Sequence, residues 1–284
     1  MSVSKSHAVA IGTFDGVHLG HRRVLEAALA TGLSVRVLTF QPHPRTVVQG
    51  NLVELVSTVE RRVELLRALG SAEVTVIPFT LATAAQEPEA FAREHLTRAD
   101  VVVAGEDFRF GRRRRGDLAL LKELGYGVTP VPLLGGVSSS EIRRLVHEGD
   151  LAGAARELGR PFELDGAVVP GDQRGGTLGY PTANLALDPA LLVPPYGIYA
   201  GAAHPRGPDQ YRAAISIGTN PHYGGSERRI EPHLLDFEGD LYGQRLVVEL
   251  WERLRDEEVF ASEAELVAQI SRDVERTRAS IRPI

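Results

Sequence analysis

Between Ala8 and Val131 five short apolar runs of β type alternate with segments of helical periodicity, and this alternation constrains the fold more than any other feature. The runs are Ala8 to Ile11, Ser34 to Phe40, Val74 to Ile77, Val101 to Ala104 and Gly127 to Val131. Val24, Leu25, Ala28 and Leu29 keep the spacing of one helix face. Ser57 to Leu69 reads as a helix with Ser57 and Glu60 at capping-box spacing and Gly70 as its stop. Pro88 to Leu96 carries proline in its first turn, and Asp117 to Leu124 closes on Gly125. Strands joined through helices pair in parallel, so the pattern predicts an α/β domain, a doubly wound parallel sheet covered on both faces. Ligands bind such sheets outside the carboxyl ends of the strands. Gly12 to His21, Gln41 to Arg45 and Gly105 to Gly111 all follow strands and are expected to converge there.

The second half reads differently. After helical segments at Glu141 to His147 and Leu151 to Leu158, Gly159 and Pro161 punctuate the chain. Short β-type runs then follow at Leu164 to Val169, Gly197 to Ala203, Tyr211 to Ile217, Ile230 to Leu235 and Leu246 to Trp251. Their spacing predicts a small antiparallel β-barrel domain with a C-terminal helix, Ser262 to about Arg278, capped by Ser262 and Glu265. The expected domains are residues 1–158 and 159–284.

Composition narrows the class. A chain of 284 residues that is 43% hydrophobic and 24% charged is a soluble globular protein of one large or two modest domains. A net charge of −5 argues against general nucleic-acid binding. The absence of cysteine removes disulfides, thiolate metal sites and a cysteine nucleophile together. No apolar run is long enough to span a membrane, and MSVSKSHAVA lacks a signal-peptide core, so a cytoplasmic enzyme is expected.

The chemistry concentrates in GTFDGVHLGH, Gly12 to His21: a strand, a glycine-rich turn and a helix start. Gly12, Gly16 and Gly20 let backbone approach a ligand closely, and His18 and His21 sit where the helix begins. A helix N-terminus favours phosphate, and imidazole donors meet charge developing on its oxygens. The spacing is not that of a dinucleotide-binding GxGxxG turn. HLGH resembles the HxGH motif of the nucleotidyltransferase superfamily. With FDGVH ahead of it, the stretch resembles the bacterial bifunctional riboflavin kinase/FAD synthetase family.

That resemblance implies that Gly12, Phe14, Asp15 and Gly20 surround ATP phosphates, with His18 and His21 catalytic. AGEDFRFGRRRRGD resembles the family's GxDFRFG loop, which implies that Asp107 and Phe108 contact the nucleotide; the Arg112 to Arg115 run beside it attracts triphosphate at long range. VSSSEIRRL resembles SSTxIR, with Ser140 in place of threonine. It implies phosphate binding by Ser139 and Ser140 and a catalytic Arg143, whereas the residues alone also allow a simple helix-capping role for the serines. QPHPR resembles DPHP, with Gln41 replacing an aspartate.

GAVVPGDQRGGTLGYPTANL, Gly166 to Leu185, opens the second site. Its PTAN resembles the riboflavin kinase motif, implying that Gly171 and Gly176 lie over ATP phosphates while Thr182 and Asn184 hold magnesium on ATP. The resemblance further implies Glu231 as base for the ribityl hydroxyl, Asn220 and Arg255 as flavin contacts, and Phe260 beside Arg255 on a mobile flap. Two reactions follow: riboflavin and ATP give FMN in the second domain, and FMN and ATP give FAD and pyrophosphate in the first. Two narrower readings stay open. One is a kinase whose first domain has lost activity, raised by Gln41 and by a first strand reached without the short leading segment many relatives carry. The other is a non-catalytic flavin- or nucleotide-binding regulator.

Overall fold

The computed structural model describes residues 7–171, 174–205, 209–219 and 228–284. Its contacts divide the chain into two compact units, Met1–Ser139 and Ser140–Ile284.

The first unit holds five strands, β1 (His7–Ile11), β2 (Ser34–Gln41), β3 (Glu73–Pro78), β4 (Ala99–Gly105) and β5 (Gly127–Val131). They form one parallel sheet in the order β3-β2-β1-β4-β5. β1 is central, with Ala8 opposite Val35 on one side and Val101 on the other. Alternate residues of β1 feed opposite faces. Ala8 and Ala10 pack with Leu25, Val37 and Leu66, while Val9 and Ile11 pack with Leu38, Phe91 and Leu121. The helices are α1 (Leu19–Leu29), α2 (Pro44–Gln49), α3 (Val59–Ala68), α4 (Leu81–Ala85), α5 (Pro88–His95) and α6 (Leu118–Glu123). The chain runs outward from β1 through β2 to β3, then returns to the opposite side of β1. The sheet therefore changes direction between β1 and β4, the place where doubly wound folds bind ligands.

The second unit begins in α7 (Ser139–His147), followed by α8 (Leu151–Leu158), β6 (Phe162–Val169), α9 (Arg174–Thr177), β7 (Asn184–Leu187), β8 (Gly197–His204), β9 (Tyr211–Thr219), β10 (Arg228–Leu234), β11 (Arg245–Arg255) and α10 (Glu263–Ala279). The strands make an antiparallel sheet in the order β10-β9-β8-β11-β6-β7. It curls almost into a closed barrel: the Ala183 N–H, just before β7, donates to the Pro232 carbonyl of β10 at 2.9 Å. α8 packs against β6 and β11, burying Leu151, Ala154, Ala155 and Leu158. Both α7 and α8 thus group with the barrel, although their helical pattern continues that of the first half.

The C-terminal segment is fastened to the barrel by Glu249, only 3% exposed. Its carboxylate accepts from Arg282 Nε and Nη2, each at 2.8 Å, and from Trp251 Nε1 at 2.8 Å, and pairs with His204 Nε2 at 3.3 Å. Burial alone would raise its pKa; hydrogen bonds from His204, Arg282 and Trp251 outweigh that and bring it from 4.5 to about 2. A depressed carboxyl contributes stability that is present above its unfolded pKa and lost as pH falls through the folded one, here from 4.5 to about 2. The contribution is on the order of 3 kcal/mol at neutral pH. Arg282→Gln is therefore expected to shrink the difference in urea midpoint between pH 7 and pH 3, followed by circular dichroism. An unchanged difference would remove Glu249 from this role.

Candidate active sites

In the first unit the Gly12 to His21 turn leaves the carboxyl end of β1 at the reversal point of the sheet. Two non-glycine residues take positive φ, Phe14 at 49° and Val17 at 42°, and both are about 1% exposed. Such backbone persists only when its surroundings hold it. Asp15 Oδ1 accepts from the N–H groups of Val56 at 2.9 Å and Ser57 at 3.3 Å, and Ser57 Oγ accepts from the Gly16 N–H at 3.1 Å. Ser139 Oγ donates to the Asp15 carbonyl at 3.0 Å, and Thr39 Oγ1 donates to the Thr13 carbonyl at 2.8 Å.

The two histidines open α1. His18 is the N-cap, its Nδ1 accepting from the His21 N–H at 3.4 Å, which places the proton of the neutral ring on Nε2. The rings stack 3.6 Å apart, and Phe14 meets His21 edge-on at 5.2 Å. A Cβ at Gly20 would lie 3.1 Å from His18 Cε1, so glycine there lets the cap ring fold over its own helix start.

The other expected residues lie on or near the same turn and sheet, and one expected helix cap is corrected. Asp15 is fully buried and its Oδ1 accepts from the Val56 and Ser57 N–H groups, so it anchors the turn. Phe14 likewise packs inside. Ser57 does not cap α3: Thr58 does, accepting from the Arg61 N–H at 3.1 Å, while Ser57 holds Gly16. Of the arginine run, Arg112 and Arg115 pair with Glu87 at 3.0 and 2.6 Å, and these bonds lower the Glu87 pKa. Asp107 is exposed after β4, and the half-buried Phe108 stacks on Phe110 at 5.6 Å while Phe110 enters the core. Gln41 closes β2. Ser140 is exposed, and Arg143 is half-buried on α7, one turn beyond Ser139. Its neighbour Arg144 is committed to Glu141 and Glu148, both at 2.5 Å.

In the second unit the segment before β7 lies along β10. Besides the Ala183 to Pro232 bond, the Pro181 carbonyl meets His233 Nδ1 at 2.7 Å, and Tyr180 sits edge-on to the His233 ring at 5.5 Å. The seam runs the segment holding Thr182 and Asn184 along β10, where Glu231 is half-buried opposite Ser216 of β9. Ile230, Pro232 and Leu234 alternate with Glu231 and are buried, so the carboxylate stands on the other face of the strand. Gly171 is packed so tightly that a Cβ would collide with the Asn184 amide, and one at Gly175 would collide with the Tyr180 carbonyl. A Cβ at Gly176 would meet nothing within 4 Å. Arg255 forms a two-pronged pair with Asp273 of α10, at 2.7 Å for Nη2, and lies 5.8 Å over the Phe260 ring. Asn220 lies outside the described residues. Among the described residues no cluster of histidines and carboxylates could hold a metal ion. The donors at the seam are neutral oxygens of Thr182 and Asn184, which suit a magnesium ion arriving on ATP with its waters.

Comparison with known proteins locates both halves. A riboflavin kinase family model matches residues 158–281, and an FAD synthetase family model matches residues 1–139. A Listeria monocytogenes bifunctional riboflavin kinase/FMN adenylyltransferase is 34% identical over 288 residues, covering 95% of this chain and 91% of its own. The Escherichia coli K12 protein of that name is 36% identical over 279 residues, covering 93% and 89%. A solved Streptococcus pneumoniae chain named as a macrolide-efflux protein superposes with a TM-score of 0.86 at 30% identity, covering 99% of this chain and 96% of its own. No helix among the described residues here is long and apolar enough to cross a membrane. Fold and motifs together define a two-domain transferase, a nucleotidyltransferase-type sheet joined to a kinase-type barrel. The chain belongs to the bifunctional riboflavin kinase/FMN adenylyltransferase family.

Proposed function

We infer that this chain carries both family activities, phosphorylating riboflavin with ATP to FMN and adenylylating FMN with a second ATP to FAD and pyrophosphate. The observation that carries the reading is the coexistence of the HLGH turn at the sheet's reversal point with the seam of Thr182, Asn184 and Glu231 on the barrel. In the kinase reaction Glu231 accepts the ribityl hydroxyl proton as that oxygen attacks the γ-phosphorus, and ADP leaves. Gly171 and Gly176 lie over the phosphates, and Thr182 and Asn184 would hold the magnesium that arrives with ATP, which would supply charge neutralisation. Asn220 and Arg255 contact the flavin. In the second reaction an FMN phosphate oxygen attacks the α-phosphorus directly and pyrophosphate leaves. His18 Nε2–H, His21 and the first N–H groups of α1 steady the phosphate charge. Gly12 and Gly20 admit the nucleotide, Asp107 and Phe108 contact its adenosine side, and Ser139, Ser140 and Arg143 supply further donors. The work is placed in the cytoplasm.

We place the functional boundary near Gly159, where the kinase-family match begins, with α7 and α8 leading into it. The test is flavin product analysis after incubation with riboflavin, ATP and magnesium, on the full chain and on fragments 140–284 and 159–284. The full chain is expected to make FAD, and both fragments FMN alone. FMN alone from the full chain would leave a kinase only, and unchanged riboflavin would overturn catalysis altogether. The shorter fragment loses α8 and should melt lower, because burial of each leucine such as Leu151 and Leu158 contributes about 1.5–3 kcal/mol.

A further inference from the structure

The most buried cation of the first unit is Arg62 on α3, whose side chain is 1% exposed. Arginine seldom enters a core without a task, because removing its charge from water is costly. Here burial pushes the guanidinium below its usual range, and Asp15 partly opposes this. Arg62 Nη1 donates to Thr39 Oγ1 at 3.3 Å and to the Phe40 carbonyl at 3.1 Å, and Nη2 lies 3.7 Å from Asp15 Oδ1. Among the described residues Nε and Nη2 have no hydrogen-bond partner.

These partners are the anchors of the catalytic turn. Thr39 receives from Arg62 and donates onward to the Thr13 carbonyl, and Asp15 holds the far side. Thr13 and Asp15 flank Phe14, the first residue of the turn at positive φ, and the Phe14 ring abuts His21. One guanidinium therefore fixes both sides of the strained residue that supports a catalytic imidazole. We propose that Arg62 is a positioning residue for adenylyl transfer, setting the HLGH turn through Thr39 and Asp15. The inference rests on assigning FAD synthesis to this turn. Neither Arg62 nor Thr39 touches substrate; both act through the backbone of Thr13 to His18.

The test compares Arg62→Lys, Thr39→Val and His21→Ala in the full chain, with folding checked by circular dichroism and kinase activity measured in the same samples. Lysine keeps the charge but lacks the planar fork that reaches Thr39 and Asp15 together. For Arg62→Lys the kcat for FAD formation from FMN is expected to fall about ten- to a hundredfold, the scale of a small misplacement of reacting groups. The KM for ATP should move less than about threefold, since the turn still binds phosphate but aims it badly. A purely structural residue would instead lower the melting temperature and leave kcat per folded molecule unchanged. A folded Arg62→Lys protein with wild-type kcat overturns the proposal. If that variant loses the first unit, Thr39→Val decides: a fall in kcat at steady KM supports the proposal, and an unchanged kcat overturns it. His21→Ala that still makes FAD would sink the site assignment itself, and this inference with it.

Discussion

Replacing Glu231 with glutamine is expected to stop FMN formation from riboflavin while FAD formation from supplied FMN continues. Glutamine preserves the size of the side chain and its hydrogen-bonding reach, but it cannot accept the proton that the ribityl hydroxyl must lose. Ile230 and Pro232 on either side remain buried and the pairing of Glu231 with Ser216 is unaltered, so β10 has no reason to move. A general base contributes about two to four orders of magnitude in rate, and the kinase turnover should fall on that scale. The measurement is FMN produced per enzyme at saturating riboflavin and ATP. Turnover within about threefold of wild type would show that Glu231 is only a strand carboxylate near Arg229.

His21→Ala has the reciprocal result. FAD synthesis from FMN should collapse by about a hundredfold or more, comparable with loss of one preorganised donor to developing charge. Riboflavin phosphorylation should stay near normal, because Thr182, Asn184 and Glu231 belong to the other compact unit. The alanine also removes the stacking partner of His18 and the edge contact of Phe14, so the folded state must be verified by circular dichroism. A folded variant that loses both activities together would contradict two independent sites.

Much of the fold was legible because long elements repeat their period often enough to be read. β2 and α10 lie within a residue or so of where the pattern puts them, at Ser34–Gln41 and Glu263–Ala279. α2 and α4, at six and five residues, and β7 at four are too short to establish a period and were not anticipated. α2 also starts at Pro44 within the Pro42-His43-Pro44 stretch, where the local chemistry favours a turn. The site divides in the same way. His18, His21, Thr182 and Glu231 stand in compact motifs. Thr39, Ser57 and Arg62, which hold the first turn, come from distant stretches and carry no local signature. Ser57 shows why: serine three positions before Glu60 fits a helix cap, and only the three-dimensional approach of Gly16 reveals its other employment.

Trp251, which donates to Glu249 and lies 5.2 Å beneath the Arg212 guanidinium, is the one tryptophan in the chain. Indole fluorescence from this protein is therefore a signal from the barrel alone, because the parallel-sheet half has no tryptophan. Because the sequence also lacks cysteine, a single thiol introduced into the first unit would be the sole attachment point for a dye. A dye there would report on the first unit while Trp251 reports on the barrel, so unfolding of each unit could be followed separately in one sample, one of the two signals being native to the chain.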